Sequence, residues 1–121
     1  MREDNPLARL LREALMSCAA AEGVLRGMLV RLDFSADELL TLHLDELEAV
    51  LDELARRGAR HPSLDDLKAA DEALRAACTA FASWRFSTDA EHAHLPLFQR
   101  ESLRLLDEAR SSREAAATQL V

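Results

Sequence analysis

The sequence predicts an all-α protein, either an antiparallel bundle of four helices or a three-helix core with a mobile C-terminal helix. Alanine, leucine and charged residues dominate the 121 residues, which include three glycines, three prolines and no tyrosine. Leucines and small apolar residues recur at alternating steps of three and four, the spacing of helical and heptad seams. Glycine, proline and capping residues divide these seams into four stretches. The length fits a single domain spanning residues 1–121.

The first helix is predicted to begin at Asn5 and Pro6, since asparagine is a good N-cap and proline suits the first helical position. A heptad seam then continues for nearly four repeats, and Gly23 and Gly27 on this helix permit the close approach of another helix. The seam consists of Leu7, Leu11, Ala14, Cys18, Ala21, Leu25, Met28 and Leu32.

The second helix has a clear predicted start. Ser35 and Glu38 have the spacing of a capping box, and Phe34 and Leu39 have that of a hydrophobic staple. Gly58 is the predicted C-cap. A second leucine seam lies between these ends, at Leu40, Leu44, Leu47, Leu51 and Leu54.

The third helix is predicted to begin after Pro62 with Ser63 as its N-cap, and to end near Phe86. The fourth is predicted from about Pro96, because proline does not fit the interior of a helix. Residues 110–121 keep few large apolar side chains, so we expect this last segment to be loosely packed. The third seam is Leu67, Ala70, Leu74, Ala77, Phe81 and Trp84, and the fourth helix carries Phe98, Leu103, Leu105, Leu106 and Ala109.

Charge and targeting features narrow the function classes. The net charge of −7 disfavours nucleic acid and anionic membrane surfaces as partners, because both require clustered cations. Lys68 is the only lysine, which favours a GC-rich bacterial source. Cys18 and Cys78 fit small buried hydrophobic positions. Without a signal-peptide pattern or an apolar run of about 20 residues, we expect a cytoplasmic protein.

His43 is the first candidate for chemistry, at the border of the second seam. Histidine phosphotransfer domains are also small acidic helical bundles, but as a family they follow their histidine with a lysine and a glycine. Here Leu44, Asp45 and Glu46 follow, and carboxylates repel phosphate. A histidine on the flank of the helix is therefore the preferred interpretation, and phosphotransfer is the alternative.

Arg56 and His61 have the R-x4-H spacing, which resembles the motif of HEPN-type ribonucleases. Arginine could stabilise a phosphoryl transition state while histidine moves a proton. Basic residues at a helix C-terminus are also expected from the helix dipole alone.

A metal site has one candidate, the segment that contains His92 and His94 with Asp89 and Glu91. Metal binding needs three or four ligands on a fixed frame, and a solvated loop explains this segment better. No nucleophile elbow or phosphate loop is present. The sequence therefore predicts no catalytic residue, no cofactor and no metal.

Aromatic residues gather around the predicted connection between the third and fourth helices, at Phe81, Trp84, Phe86 and Phe98. Trp84 and Phe86 are two residues apart, so one helical stripe cannot bury both. The cluster either closes the end of the core or provides an exposed anchor for a partner protein.

The stretch "LLREALMSCAAAEGVLRGMLVRLDFSADELLTLHLDELEAVLDELA" resembles FlgN-type chaperones of flagellar and type III secretion. The resemblance lies in a helix centred on Glu22, a break near Asp33 and a leucine-rich second helix. It implies a small acidic cytoplasmic protein that holds an export substrate. It also implies that the last helix contacts that substrate through Leu103, Leu106 and Leu120.

Together these features predict a non-enzymatic interaction module, a chaperone or adaptor that binds an amphipathic helix of a partner protein or a second copy of itself. The predicted partner-binding residues are Trp84, Phe86, Phe98, Leu103, Leu106 and Leu120.

Overall fold

The computed structural model describes residues 5–85 and 95–120. Within these ranges the chain forms four helices, α1 (Pro6–Arg31), α2 (Asp37–Arg56), α3 (Pro62–Arg85) and α4 (Leu95–Thr118), and no strand. The all-α bundle predicted from the sequence is confirmed. None of the described helices combines the length and apolar character needed to cross a membrane.

The fourth helix runs antiparallel to both α1 and α3, as two contacts between helix ends indicate. Near the end of α4, Gln119 donates to Asp66 in the first turns of α3, at 2.7 Å. Near the start of α4, Gln99 donates to the Leu29 carbonyl in the last turn of α1, at 2.8 Å. α1 contacts the other three helices, α3 and α4 pair most extensively, and α2 packs mainly against α1. α2 is therefore the most peripheral of the four helices.

The seams predicted from the sequence form one continuous core. Burial of their apolar side chains is the main stabilising contribution, because a fully buried leucine is worth about 1.5–3 kcal/mol over an exposed one. The largest fully buried side chains are Leu11, Leu25, Leu29, Leu47, Leu54, Leu67, Leu74 and Leu106.

Two predicted helix ends are confirmed. The Asn5 side chain accepts a hydrogen bond from the Leu7 backbone N–H at 2.9 Å, and Pro6 is the first residue of α1. Gly58 follows α2 with φ +63°, a left-handed conformation that glycine adopts at little cost.

The capping box predicted for Ser35 and Glu38 is wrong. α2 begins two residues later than Ser35, at Asp37, and the residue before it, Ala36, makes no side-chain cap. The reason is upstream: the Asp33 carboxylate accepts the Ser35 backbone N–H at 2.9 Å. This side-chain turn holds Ser35 in the connection, outside the helix.

The hydrophobic staple between Phe34 and Leu39 is also wrong. The Phe34 ring packs against Phe81 and Trp84 instead, with ring centroids 5.5 and 6.2 Å away, and the Arg85 guanidinium lies 4.5 Å from its centroid. Leu39 is left 46% exposed. Long-range aromatic packing at the end of the bundle therefore outweighs the local staple.

Ser63 is not the N-cap of α3. The helix begins at Pro62, and Nδ1 of His61 accepts the Ser63 backbone N–H at 3.1 Å. Ser63 Oγ lies 2.7 Å from the same ring nitrogen, and the serine is fully buried. The His61 ring thus occupies the position of the capping side chain.

Glu22 is a buried acidic residue in the core face of α1. Its two carboxylate oxygens accept hydrogen bonds from Arg110 Nε at 2.9 Å and Arg113 Nε at 3.1 Å, both on α4. A buried carboxylate needs such partners, because an unpaired charge away from water is very costly. This ion-pair cluster fixes α4 on α1.

The last part of α4 has core contacts. Ala116 and Leu120 are buried, and residues up to Thr118 are helical. The loose packing expected for residues 110–121 concerns their motion and stays a prediction.

Candidate partner-binding groove

An open groove runs along the surface between α1 and α2. It consists of two adjoining depressions of about 500 Å³ and about 530 Å³ that share Ala20 and His43. The groove follows α1 from Glu13 to Arg31, about 27 Å at 1.5 Å per residue. This length matches a helix of about five turns.

Small side chains of α1 form the floor of the groove. Ser17, Ala20, Gly23 and Val24 line it. A Cβ atom at Gly23 would meet no heavy atom within 4 Å, so nothing in the described bundle packs on this glycine. Another helix could therefore approach the α1 backbone here, as the sequence predicted for Gly23.

Large apolar side chains are exposed on both helices that form the groove, and two of them, Met16 and Leu39, line it. Met16 and Val30 on α1 are 71% and 62% exposed, and Leu39 and Leu42 on α2 are 46% and 52% exposed. These four are most of the exposed large hydrophobic residues of the described ranges, the other being Leu97 on α4. Such clustering on one surface is typical of interaction sites.

The α2 wall of the groove belongs to a strongly acidic helix, although only one of its carboxylates lines the groove. The α2 helix carries seven carboxylates and one arginine, a net charge of −6, while the whole chain has −7. Glu46 lines the groove from α2 and Glu13 faces it from α1. Arg31 and Asp33 lie together at the other end. The α2 rim therefore presents a negative potential to solvent.

His43 lies in the middle of the groove, where the two depressions meet. Its side chain is 22% exposed and Nδ1 lies 3.4 Å from a Glu46 carboxylate oxygen. The carboxylates of Glu13 and Glu46 line the same depression, and they would repel a phosphoryl group on the imidazole. The site around His43 therefore favours apolar or cationic groups over phosphate.

Arg56 and His61 are engaged with different neighbours. The Arg56 guanidinium donates to Glu53 at 2.6 Å, while the His61 ring bonds Ser63. The arginine side chain is 72% exposed and the histidine is half-buried. Each residue is thus explained by the helix end that it stabilises.

The partner-binding residues predicted from the sequence lie mostly inside the bundle. Leu106 and Leu120 are buried, and Leu103 and Phe98 are half-buried on α4. Trp84 is half-buried and stacks on Phe81 at 6.2 Å between ring centroids. In this arrangement the leucines of α4 contribute to the core, so partner contacts through them would require α4 to move.

The remaining candidates from the sequence are the residues between α3 and α4 and the two cysteines. Phe86, His92 and His94 lie outside the described residues, as do Asp89 and Glu91. Within the described ranges no three histidine, cysteine, aspartate or glutamate side chains are grouped as metal ligands. Burial raises the pKa of the Cys18 and Cys78 thiols to about 11, so neither is an activated nucleophile.

Sequence reasoning missed the groove, although its signal was present. Met16, Ala20, Gly23, Gly27 and Val30 recur at steps of four and three, which places them on one face of α1. That stripe is a second seam, offset from the core seam. The sequence predicts close approach of a helix at Gly23 and Gly27, but its partner contacts fall near the end of the third helix and on the fourth, so this stripe is not assigned to a partner.

Comparisons with protein-family models, with curated proteins and with solved structures gave no match to this chain.

Proposed function

We propose that this protein is a non-enzymatic helical interaction module that binds an amphipathic helix of a partner protein in the groove between α1 and α2. The observation that carries the proposal is the apolar groove itself, with a floor of small side chains and exposed apolar side chains on both sides. Helix-in-groove recognition uses this combination, because the partner buries one apolar stripe between two helices.

The geometry suits a helical occupant. α1 and α2 lie side by side, and a third helix resting on both would bury Met16 and Leu39, which solvent now contacts. The open space at Gly23 permits a close backbone approach. An occupant of about 18 residues would cover the whole groove.

A chaperone or adaptor in the cytoplasm is the form of this function that we propose, in line with the resemblance to FlgN-type chaperones. Such a protein would shield the apolar face of a helix that its partner later buries elsewhere. The α4 leucines implied by that resemblance, Leu103, Leu106 and Leu120, would add a second contact surface only after α4 detached.

The proposal can be tested by selecting peptides from a displayed library of amphipathic helices against the full chain. The variant Gly23→Trp fills the groove with a neutral side chain, and Gly23→Ala is its matched control. Because no heavy atom lies within 4 Å of a Cβ placed at Gly23, we expect both variants to fold.

We expect selected peptides to bind the wild type and Gly23→Ala equally, and to bind Gly23→Trp about tenfold or more weakly. Circular dichroism checks that the three proteins have the same helix content. If every selected peptide bound Gly23→Trp as well as the wild type, the groove would not be the binding site and the proposal would be wrong.

A further inference from the structure

We infer that the helix bound in this groove is basic: its apolar stripe is flanked by lysine or arginine on the edge that faces α2. This inference rests on the proposed function and specifies the chemistry of the partner. Its basis is the charge of the helices that form the groove.

The two walls of the groove differ in charge. α2 has a net charge of −6. α1 carries two glutamates and four arginines, and one of those glutamates, Glu22, is buried and paired with α4. A helix lying between these walls therefore meets the more negative potential on its α2 side, while the α1 side presents one carboxylate to the groove, Glu13.

Two carboxylates near the ends of α2 pair with arginines, while those in its middle do so weakly or not at all. Asp45 and Asp52 are exposed, and neither forms an ion pair with any described residue. Glu46 has only the long contact of 3.4 Å to His43. These carboxylates are available to cations from outside the molecule.

On the opposite face of the bundle, several acidic residues are paired with arginines. Glu101 and Glu108 both hold Arg104 at 2.5 Å, and Asp71 holds Arg75 at 2.9 Å. The acidic and basic residues of α3 and α4 also nearly balance, with net charges of −1 and 0, although Glu72 and Glu114 form no ion pair with a described residue. Among the helices, the excess negative charge of the chain therefore lies on α2, which forms one wall of the groove.

Lysine and arginine side chains suit this rim because of their length. Their aliphatic stems can cover Leu42 and Ala49, which separate the groove from the outer carboxylates, while their charged ends reach Asp45 and Asp52. A second copy of the chain fits less well, since it brings another α2 of charge −6 toward the first. Nucleic acid and anionic membranes are repelled for the same reason.

The test uses three synthetic helices of about 18 residues with one shared leucine and alanine stripe and flanks of lysine, glutamine or glutamate. Their affinities for the full chain are measured by fluorescence anisotropy. We expect the order lysine, glutamine, glutamate, with about tenfold between the first two at low salt. Raising the ionic strength should reduce that difference, because exposed charges are screened.

A groove variant removes the proposed charges. Asp45→Asn, Glu46→Gln and Asp52→Asn together should weaken the lysine helix about tenfold and leave the glutamine helix unchanged.

The matched control removes the same charge from α3 and α4, through Glu72→Gln, Glu108→Gln and Glu114→Gln. Both triple variants change the net charge from −7 by the same amount. The control should bind the lysine helix nearly as the wild type does. Equal loss in the two triple variants would mean general attraction of a polycation, which overturns the inference.

The remaining outcomes separate the two proposals. If all three helices bound with equal affinity and Gly23→Trp abolished that binding, the charge inference would fail and the groove function would stand. If Gly23→Trp lowered the affinity of none of the three helices, both proposals would be wrong. If sedimentation showed a dimer of this chain that Gly23→Trp dissociated, the groove would be a self-association surface and the foreign basic helix would be excluded.

Discussion

Replacing Glu22 by glutamine removes a buried charge while keeping the size of the side chain. The carboxylate is buried and bonds Arg110 and Arg113 of α4 at 2.9 and 3.1 Å. A hydrogen bond to a charged group contributes about 1.5–3 kcal/mol when it is shielded from water. The two arginine side chains are 46% and 23% exposed, so water screens part of that contribution.

With the two bonds discounted by about half for this screening, we expect Glu22→Gln to lower the free energy of unfolding by about 2 kcal/mol. For a domain of this size that corresponds to a Tm lower by about 6–10 °C. Urea titration followed by circular dichroism measures the change. The control is Glu101→Gln, which removes an exposed carboxylate from a surface pair and should leave the midpoint unchanged.

The same variant should loosen α4 more than the other helices. Hydrogen exchange of amides from Ala109 to Thr118 should accelerate, while amides around Leu25 of α1 keep their protection. An unchanged urea midpoint together with unchanged exchange in α4 would refute the reasoning. It would mean that the cost of removing the charges from water cancels the attraction between them.

Three further predictions concern the core, a helix end and a thiol. Leu47→Ala should destabilise the fold by about 2–5 kcal/mol in urea titration, because Leu47 is fully buried. Its control, Leu42→Ala, changes a 52% exposed position and should leave the stability unchanged. Similar losses of stability in the two variants would contradict the burial pattern. Gly58→Ala should cost about 1–2 kcal/mol, because φ is +63° there, and a neutral result would contradict that conformation. Burial raises the pKa of Cys18 from 9.0 to about 11, because the folded protein favours the neutral thiol. The stability contributed by this thiol is therefore complete below about pH 9 and is lost as the pH rises toward 11. A series of urea midpoints against Cys18→Ala measures this loss, and rapid reaction of the native thiol with a disulfide reagent at about pH 8 would contradict its burial.

The sequence sufficed for the helices because their signals are local. The seam of α1, its cap at Asn5 and the stop at Gly58 depend on residues a few positions apart, and each appears where the pattern placed it. Such signals follow from helical periodicity and from the unpaired backbone groups of helix ends.

The errors occurred where a distant residue competes with a local partner. Phe34 was paired with Leu39 by spacing, but Phe81 and Trp84 from α3 provide a larger aromatic contact. Ser35 has the spacing of a cap, but the Asp33 carboxylate accepts its backbone N–H. Sequence spacing carries no information on which of two possible partners lies closer after folding.

The candidate site was missed for a related reason. A stripe of small residues on α1 predicts close packing of some helix but cannot say whether that helix belongs to the same chain. Only the packed bundle reveals that, among the described residues, nothing packs on Gly23 and that Met16 is largely exposed. The prediction of partner contacts at Leu106 and Leu120 depends on their apolar character. The sequence does not show that the core buries both.

The most direct test of the groove is a titration of the isotopically labelled full chain with the lysine-flanked helix, followed by NMR chemical shifts. The account predicts that the largest shifts fall on residues facing the groove, among them Ala20, Gly23 and His43. Largest shifts at Trp84 or along α4 at Leu103, with the groove unaffected, would contradict it and would place the binding surface where the sequence first suggested.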